Sequence, residues 1–538
     1  MKTSITRICS TAAWRGTAIV LCAALALAFS ARSAVLTDAT STLFSGSANC
    51  AFCHDQWGRG LTDQRGGDVS IVGDWRATMM AHSFKDPLWR AVVEAEVQEH
   101  PKLKGFIENK CQTCHAPMAR TQASHDGTKE LTLAKAKTMP LAGDGVSCTV
   151  CHQIQTGNLG QASSFTGHYE IGTAREIFGP YDNVFAGPMQ NHVNYTPKFG
   201  AHVQDSKLCA TCHTLFTPIL DVEGRITGQF PEQVPYLEWR NSEYAARGKH
   251  CQDCHMPRLD EPIKISSRPP WLEPRQPFWR HQFVGGNAFM LTLLKDHASS
   301  LRPNAEPAQF ERTIAQTRRQ LEKAASVTAE GRREGGTLVL RVEVENLTGH
   351  KFPTGHPYRR AWLHVRVRDA SGRTVFESGA TDKEGRLRGL AGENATHLDV
   401  ITRPEQVQIY EAVMGDAAGQ PTRSLLRAAT YLKDNRLPPH GFRTDGPEYG
   451  HTAIRGAATQ DANFNAGGSG RDEVTYRIDL GANGGKLVAE VELLYQSVPP
   501  EAVARLLQGR GPAAKEFSKL YGTADKRPET VHQARIEL

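Results

Sequence analysis

Five copies of one short pattern, C-x-x-C-H, stand in the first half of this 538-residue chain. On a helical turn the positions i, i+3 and i+4 lie on one face. The two thiols can therefore add to the two vinyl groups of a haem while the histidine lies under the iron as its proximal ligand. The pattern predicts five covalently attached c-type haems. Their predicted attachment residues are Cys50, Cys53 and His54; Cys111, Cys114 and His115; Cys148, Cys151 and His152; Cys209, Cys212 and His213; and Cys251, Cys254 and His255.

Zinc sites and disulfide bonds are the other common uses of such cysteines. A zinc site needs two C-x-x-C units, or one unit with two distant histidines, and five units do not pair evenly. Disulfide frameworks suit short secreted domains rather than a chain of this length. Ten of the twelve cysteines belong to the five motifs, and the other two, Cys9 and Cys22, lie in a predicted leader. Covalent haem is therefore the better interpretation.

The first 34 residues have the pattern of a secretory signal peptide. Three basic residues and no acidic residue come before an apolar run over residues 18–29, and small residues follow it. The run is short for a membrane span, so we predict cleavage near residues 30–34, with an uncleaved anchor as the alternative. Export agrees with the motifs, because c-type haem is attached outside the cytoplasmic membrane. We expect a mature chain without a membrane span, in the periplasm or associated with the outer membrane or the cell surface.

The charge balance does not indicate a nucleic-acid partner. The chain has 63 basic and 57 acidic residues, for a net charge of +6. Residues 1–34 hold four basic residues and no acidic ones, which leaves a net charge of +2 for the rest. Each haem would add two propionates, so a protein with five haems would be acidic. The sequence pI of about 8.6 is therefore no argument for nucleic-acid binding.

Residues 35–300 form the predicted haem domain. So few residues separate the motifs that the haems themselves must fill much of the interior, with helices and loops wrapped around them. One helix is predicted from Pro87 to about Glu99, because Asp86 suits the N-cap and Pro87 the first helical position. The short interval between the second and third motifs suggests that these two haems lie close together.

The character of the chain changes near residue 300. Residues 301–335 form a predicted helical connector, with an amphipathic helix from Pro307 to about Val327. In residues 336–498 the apolar period becomes two, and glycine, asparagine and aspartate turns separate the runs, which indicates an antiparallel β-sandwich. Residues 499–538 form a predicted helical tail. The fold class is therefore α+β: a multihaem domain with sparse helices, followed by an antiparallel β-sandwich domain.

The second axial ligand of each iron decides between an electron carrier and an enzyme. A low-spin carrier needs histidine or methionine on both faces of each haem, and sixteen histidines lie outside the motifs. We predict distal ligands among His82, His168, His202, His281 and His350, with Met80 as a rival of His82. His100, His125 and His356 rank below these, and the histidines from residue 364 onward are interpreted as structural or exposed. If His350 is a ligand, the sandwich is docked onto a haem.

Two groups of segments carry a resemblance to known families. Val146-Ser-Cys-Thr-Val-Cys-His152 and Leu208-Cys-Ala-Thr-Cys-His-Thr214 resemble multihaem cytochromes of the cytochrome c554 family, over roughly residues 47–290. Residues 281–287, 349–355 and 433–437 are similar to a larger set of exported multihaem cytochromes that have a C-terminal module. The resemblance implies bis-histidine haems and electron transfer, and it favours His202, His281 and His350 as ligands. Cytochrome c554 itself has four haems and no such sandwich.

Two function classes follow. The first is an electron carrier in a respiratory redox chain, whose partners would be redox proteins such as other multihaem cytochromes or a membrane quinol-oxidising complex. The second is a reductase or oxidoreductase that acts on a small nitrogen or sulfur compound at a haem with an open axial position. Nitrite-reducing relatives often have lysine in place of a motif histidine, whereas all five motifs here end in histidine. The carrier is therefore the favoured interpretation.

Overall fold

The computed structural model describes residues 35–55, 61–390, 395–481 and 484–538. The predicted signal peptide with its two cysteines lies outside these ranges, as does part of the predicted turn at residues 482–485. Within them the chain forms a helical N-terminal part that contains the five motifs, and a C-terminal part built on two β-sheets. None of the helices in these ranges is long and apolar enough to cross a membrane.

Short helices separated by loops make up the N-terminal part, as predicted. These helices are α1 (Ser47–His54), α2 (Ile71–Trp75), α3 (Pro87–Glu99), α4 (Lys104–His115), α5 (Pro117–His125), α6 (Leu133–Ala136), α7 (Cys148–Cys151), α8 (Gly187–Val193), α9 (Ser206–Ala210), α10 (Pro235–Arg240), α11 (Glu243–Ala246), α12 (Cys251–His255), α13 (Ala288–Asp296), α14 (Ala298–Leu301) and α15 (Pro307–Leu321).

The helical setting expected for the motifs is found in most of them. The first, second and fifth motifs are the last residues of α1, α4 and α12, and the third forms the single turn α7 with His152 directly after it. The fourth motif departs from this pattern. Cys209 lies in α9, but Cys212 and His213 follow in a turn beyond its end.

Helix α3 has the bounds that the sequence predicted. The Asp86 carboxylate accepts hydrogen bonds from the backbone N–H groups of Leu88 and Trp89, at 2.8 and 3.3 Å, and Pro87 occupies the first turn. The buried side chains of Trp89 and Val93 contact a small apolar core of the haem region. A capped helix therefore forms one wall of the region around the second motif.

Three small sheets complete the N-terminal part. Their strands are β1 (Glu176–Gly179), β2 (Thr196–Phe199), β3 (Leu215–Leu220), β4 (Ile226–Gln233), β5 (Arg258–Leu259) and β6 (Phe278–Trp279). Strands β1 and β2 pair in parallel, whereas β3–β4 and β5–β6 are antiparallel pairs. Two-stranded pieces of this kind cannot form a core of their own, so they depend on the surrounding chain.

The C-terminal part begins earlier than predicted. Helix α15 buries Phe310, Ile314, Thr317 and Leu321, which is most of the predicted apolar side, but it ends at Leu321 rather than near Val327. Residues 325–334 form a strand that pairs over its full length with the next strand. Pairing with a long neighbour overrides the helical pattern here, so the sandwich starts inside the predicted connector.

Two sheets face each other in the sandwich. Their strands are β7 (Ala325–Glu334), β8 (Thr337–Asn346), β9 (Arg360–Asp369), β10 (Thr374–Ser378), β11 (Val400–Ile401), β12 (Ile409–Gly415), β13 (Thr430–Asp434), β14 (Arg471–Asp479), β15 (Leu487–Gln496) and β16 (Glu529–Glu537). One sheet has the order β13-β12-β9-β15-β16, with β10 on β9, and the other has the order β11-β14-β8-β7.

The sandwich follows the predicted alternation. Val342 lies opposite Val474 across β8 and β14, and Val365 lies opposite Val491 across β9 and β15; all four are buried in one continuous core. The pairing is antiparallel except for the short strand β11, which pairs with β14 in parallel. The sheet prediction therefore holds in its main lines.

The predicted helical tail is only partly helical. Two of its segments form α17 (Pro500–Leu507) and α18 (Pro512–Thr523), after the single turn α16 (Tyr449–Thr452) within the sandwich. Beyond them β16 returns to pair with β15. A register shift sets Leu493 opposite His532 and Leu494 opposite Thr530, so Val531 is an extra residue in the strand. This bulge breaks the alternation that would have marked β16 in the sequence.

Candidate functional site

The five motifs lie next to one another in space. The Cys50 thiol lies beside that of Cys148, the Cys114 thiol beside that of Cys212, and the Cys209 thiol beside that of Cys251. These contacts join the first motif to the third, the second to the fourth and the fourth to the fifth. The short interval between the second and third motifs suggested that their haems lie close together. None of these thiol pairs of the described residues joins those two motifs. None of the ten motif cysteines forms a disulfide bond within the described residues.

Four of the five motif histidines, all except His213, are held so that one ring nitrogen is left for a metal. In each of them Nδ1 lies close to a backbone carbonyl oxygen. The distances are 2.6 Å from His54 to Ile265, 3.0 Å from His115 to Ser83, 2.6 Å from His152 to Phe178 and 2.5 Å from His255 to Val284. A metal-bound histidine usually donates its other ring N–H to a backbone carbonyl, a carboxylate or a water. Here donation from Nδ1–H places the free lone pair on Nε2.

Two of these histidines face a second imidazole. The ring centres of His152 and His281 are 6.2 Å apart with their planes 18° from parallel, and those of His255 and His350 are 6.3 Å apart at 17°. The second rings are also oriented through Nδ1, which lies 3.1 Å from the Trp279 carbonyl oxygen in His281 and 2.9 Å from that of Lys351 in His350. In each pair Nε2 is therefore the free nitrogen of both rings.

The spacing of the two pairs fits one metal ion between them. A metal–imidazole bond is about 2 Å long and a ring centre lies about 1 Å beyond its nitrogen, so two imidazoles on opposite faces of one metal have centres about 6 Å apart. The observed 6.2 and 6.3 Å have this length. The residues present therefore fit a haem with histidine on both faces at the third and fifth motifs.

Burial keeps these imidazoles in the neutral form that binds metal. It lowers the pKa of His115 to about 4 and that of His281 to about 3, and it also lowers the pKa of His54, His152 and His350. Metal binding by histidine requires the deprotonated ring, so these shifts favour ligation at neutral pH.

The other predicted ligands lie in different settings. His82 is fully buried; its Nδ1 lies 2.7 Å from the Thr78 carbonyl oxygen, and its Nε2 accepts the backbone N–H of Asn304 at 2.9 Å. Both nitrogens are thus used within the protein, which indicates a structural histidine. We leave His82 out of the ligand set that we propose.

Among the described residues, neither the ring of His202 nor the ring of His168 is paired with the ring of a motif histidine. His202 Nε2 lies 3.0 Å from the Ile154 carbonyl oxygen, and its ring meets Phe178 edge to face. Since the Phe178 carbonyl holds Nδ1 of His152, His202 lies on the proximal side of the third site. The side chain of His168 is largely exposed to solvent. The part of it that is buried, together with the charges of Lys110 and Arg120, lowers its pKa. Ligation by either residue stays a prediction.

His356, which the sequence ranked low, is a candidate that the structure adds. Burial is the main cause that lowers its pKa to about 3, followed by the nearby charges of Arg359, His115 and Arg423. His356 therefore lies close to His115, the proximal histidine of the second motif. His356 is on the loop between β8 and β9 that also carries His350. The signal in the sequence that could have identified it as a candidate ligand was its place in the segment Gly355-His356-Pro357.

A buried network of charges fastens this loop to the haem region. Glu238 of α10 is fully buried, and its Oε2 accepts the backbone N–H of Lys351 at 3.1 Å and the hydroxyl of Thr354 at 2.6 Å. Arg436 Nη1 lies 3.0 Å from Glu238 Oε1, an ion pair that lacks the alignment of a hydrogen bond. The loop of the sandwich is thereby bonded to a helix of the haem region next to His350.

The network is balanced in charge. The ammonium group of Lys351 donates to Asp434 at 2.7 Å, and Arg436 donates two bonds of 2.8 Å to the same carboxylate. Two cations and two anions are thus buried together. Such a network contributes little net stability, but removing one member leaves an uncompensated buried charge.

A second polar cluster in the sandwich does not suit a metal ion. His397, Asp461 and Asp472 lie close enough to share one. However, Gln408 and Asn435 both donate to His397 Nδ1, at 2.8 and 3.0 Å, and their own oxygens accept backbone N–H groups, which fixes their orientation. Nδ1 is therefore an acceptor, and Nε2–H donates to Asp461 at 2.9 Å. A histidine that binds a metal ion through Nε2 would instead carry its proton on Nδ1.

Asp472 in this cluster should make stability depend on pH. Burial, with the nearby Asp461 charge, raises its pKa to about 7 from the ordinary 3.8. The folded chain then keeps a proton that the unfolded chain releases, so stability should fall as the pH rises from about 4 to about 7, by at most about 1.4 kcal/mol per pH unit. Between pH 5 and pH 8, we expect the melting temperature of Asp472→Asn to fall less than that of the unmodified protein.

The matched control for this measurement is Asp479→Asn, an exposed aspartate on the same strand. Its melting temperature should follow that of the unmodified protein at every pH. Equal pH dependence in Asp472→Asn and the unmodified protein would contradict the assignment.

Two comparisons relate this chain to known proteins. Residues 47–153 match the family of cytochrome c554 and c-prime. The whole fold is similar to the crystal structure of a penta-heme cytochrome c552 from Thermochromatium tepidum, with a TM-score of 0.54 and 18% sequence identity over 92% of this chain and 99% of the other. No curated protein sequence matches the chain significantly.

Proposed function

We propose that this chain is a multihaem c-type cytochrome that carries electrons through five covalently attached haems in a respiratory redox chain, and the family match of residues 47–153 supports this proposal. The observation that carries the proposal is the pair of facing imidazoles at the third and fifth motifs. A haem iron held between two imidazoles supplies one-electron chemistry and leaves no coordination position for a substrate.

The placement of the motifs supports electron transfer between neighbouring sites within two groups. The thiol contacts link motif one to three, two to four and four to five. The thiols that would attach cofactors therefore lie close together within two groups of sites, the first with the third and the second with the fourth and fifth. Backbone carbonyls hold the histidines rigidly, so little rearrangement of the ligands is needed when the charge of a site changes.

We further propose that the chain is exported, to the periplasm or to the outer membrane or cell surface. Attachment of c-type haem outside the cytoplasmic membrane supports this proposal, as does the leader pattern of residues 1–34. Its partners would be redox proteins, such as other multihaem cytochromes or a membrane quinol-oxidising complex.

Low-temperature EPR of the oxidised holoprotein, with iron measured per chain, tests the proposed function. We expect five irons and only low-spin signals. A stoichiometric high-spin signal that shifts with nitrite, hydroxylamine or a sulfur oxyanion would instead favour a reductase or oxidoreductase. Fewer than five irons would contradict the haem count.

A further inference from the structure

The imidazole of His115, the predicted proximal histidine of the second motif, stacks on a tryptophan. The ring centres of His115 and Trp89 are 4.5 Å apart, and their planes are 7° from parallel. Parallel aromatic rings prefer an offset stack, and a centre-to-centre distance of this size corresponds to one. The other motif histidines with a ring contact among the described residues, His152 and His255, face a second imidazole instead. His115 is therefore held in a way that its counterparts are not.

The hydrogen bonds of His115 leave part of the ring orientation open. Its Nδ1 lies 3.0 Å from the Ser83 carbonyl oxygen, which is the longest of the four such distances. The Ser83 hydroxyl donates in return to the His115 carbonyl oxygen at 2.9 Å. These bonds direct Nε2 away from Ser83, but an imidazole can still tilt about a single hydrogen bond. The stacked indole removes that freedom, because tilting would drive the imidazole into the face of Trp89.

Trp89 itself has little room to move. Its side chain is 8% exposed, and its ring also meets that of Phe84, with centres 5.8 Å apart and planes at 51°. Its backbone N–H donates to the N-cap carboxylate of Asp86 in the first turn of α3. The indole is therefore fixed by its own helix and by a second aromatic ring, so it can serve as a rigid support for His115.

Helix α3 is also fastened to the C-terminal part of the chain. Trp89 and Glu96 are seven residues apart, so they lie on the same side of the helix. The Glu96 carboxylate accepts the hydroxyl of Ser424 at 2.7 Å and the backbone N–H of Leu425 at 3.0 Å. Both belong to the loop between β12 and β13, and Leu426 of the same loop packs in the apolar core that contains Trp89. The sandwich thus helps to hold the helix that supports His115.

We propose that Trp89 is a positioning residue, which fixes the plane of the His115 imidazole and thereby the ligand field of the haem attached at Cys111 and Cys114. The inference rests on the proposed function, since it needs a haem at the second motif. Groups outside the coordination sphere orient histidine ligands and tune the metal. The plane of an axial imidazole determines how the iron d orbitals split, and the g values of a low-spin haem report that splitting.

Low-temperature EPR of the oxidised holoprotein, with iron measured per chain, tests the proposal. In Trp89→Leu, which lacks a planar ring, we expect the g values of one low-spin component to shift and its lines to broaden, while the other components stay in place. Trp89→Phe keeps a ring that can stack, so it should restore most of the original g values. Val93→Ala is the matched control. Val93 lies one turn further along α3 in the same buried core but offers no ring to His115, so its removal should leave all g values unchanged.

Two results would overturn the inference. One is a spectrum of Trp89→Leu equal to that of Val93→Ala. The other is an equal shift, or an equal loss of iron, in Trp89→Leu and Trp89→Phe, which would assign the position to packing rather than to stacking. Loss of iron in Trp89→Leu alone would support the inference, provided that Trp89→Phe keeps its iron and its g values. Iron content and EPR of the unmodified protein are measured first, so that a missing or high-spin haem counts against the proposed function and not against Trp89.

Discussion

Replacing His350 by glycine should allow one equivalent of carbon monoxide to bind per reduced chain, and His281→Gly should have the same effect at a different haem. The reason is that each imidazole lies about one metal–ligand distance beyond the position an iron would take opposite His255 or His152. Without the ring, the iron keeps only its proximal ligand, and its spin state should change from low to high. The double variant should bind two equivalents.

The measurement is the optical spectrum of the dithionite-reduced protein titrated with carbon monoxide, together with EPR of the oxidised form. His125→Ala, at an exposed position at the end of α5, is the control and should bind as little as the unmodified protein. Added imidazole should restore the low-spin signal in both glycine variants. Binding of carbon monoxide by the unmodified protein to the same extent would show that these histidines do not close the sites.

The second large effect is expected at Glu238. Glu238→Gln keeps the shape of the side chain but leaves Lys351 and Arg436 with only the Asp434 carboxylate between them. Breaking a buried ion network by removing one member costs about 3–5 kcal/mol. Since the same carboxylate holds Lys351 and Thr354 next to His350, we expect a lower melting temperature together with partial high-spin character of one haem.

The control for this variant is a charge of the same kind on the adjacent helix. Glu243 of α11 forms an ion pair of 3.1 Å with the largely exposed Arg247, and pairs of this kind contribute about 0–1 kcal/mol. Glu243→Gln should therefore change neither stability nor spin state by a measurable amount. A fall in melting temperature in Glu238→Gln with an unchanged EPR spectrum would mean that the network stabilises the interface without positioning His350.

The local chemistry of this chain could be predicted well from its sequence. The spacing of the two cysteines and the histidine in each motif is enough to predict a haem attachment site. The N-cap Asp86 and Pro87 gave the bounds of α3 correctly. The alternating runs that became β8, β9, β14 and β15 are each long enough to identify without a partner. In all of these the information lies within a few neighbouring residues.

Features that depend on distant partners could not be predicted in the same way. The pattern around Ala325 continues a helix by its local periodicity, and only pairing with β8 makes it a strand. The bulge at Val531 concealed β16, because two apolar positions lie three residues apart instead of two. His82 is buried and His281 is half-buried, and both lie near aromatic residues. The bond that occupies Nε2 of His82 comes from Asn304, more than two hundred residues away.

The separation of each proposed ligand pair along the chain has a consequence for how the protein matures. His152 and His255 are made before His281 and His350, and the loop with His350 is positioned only when β9 pairs with β15. Covalent attachment uses the motif alone, so it can be completed while the opposite face of the iron is still unprotected. Biogenesis would then pass through a species with reactive haems, and closing of the sandwich would end that exposure at the fifth motif.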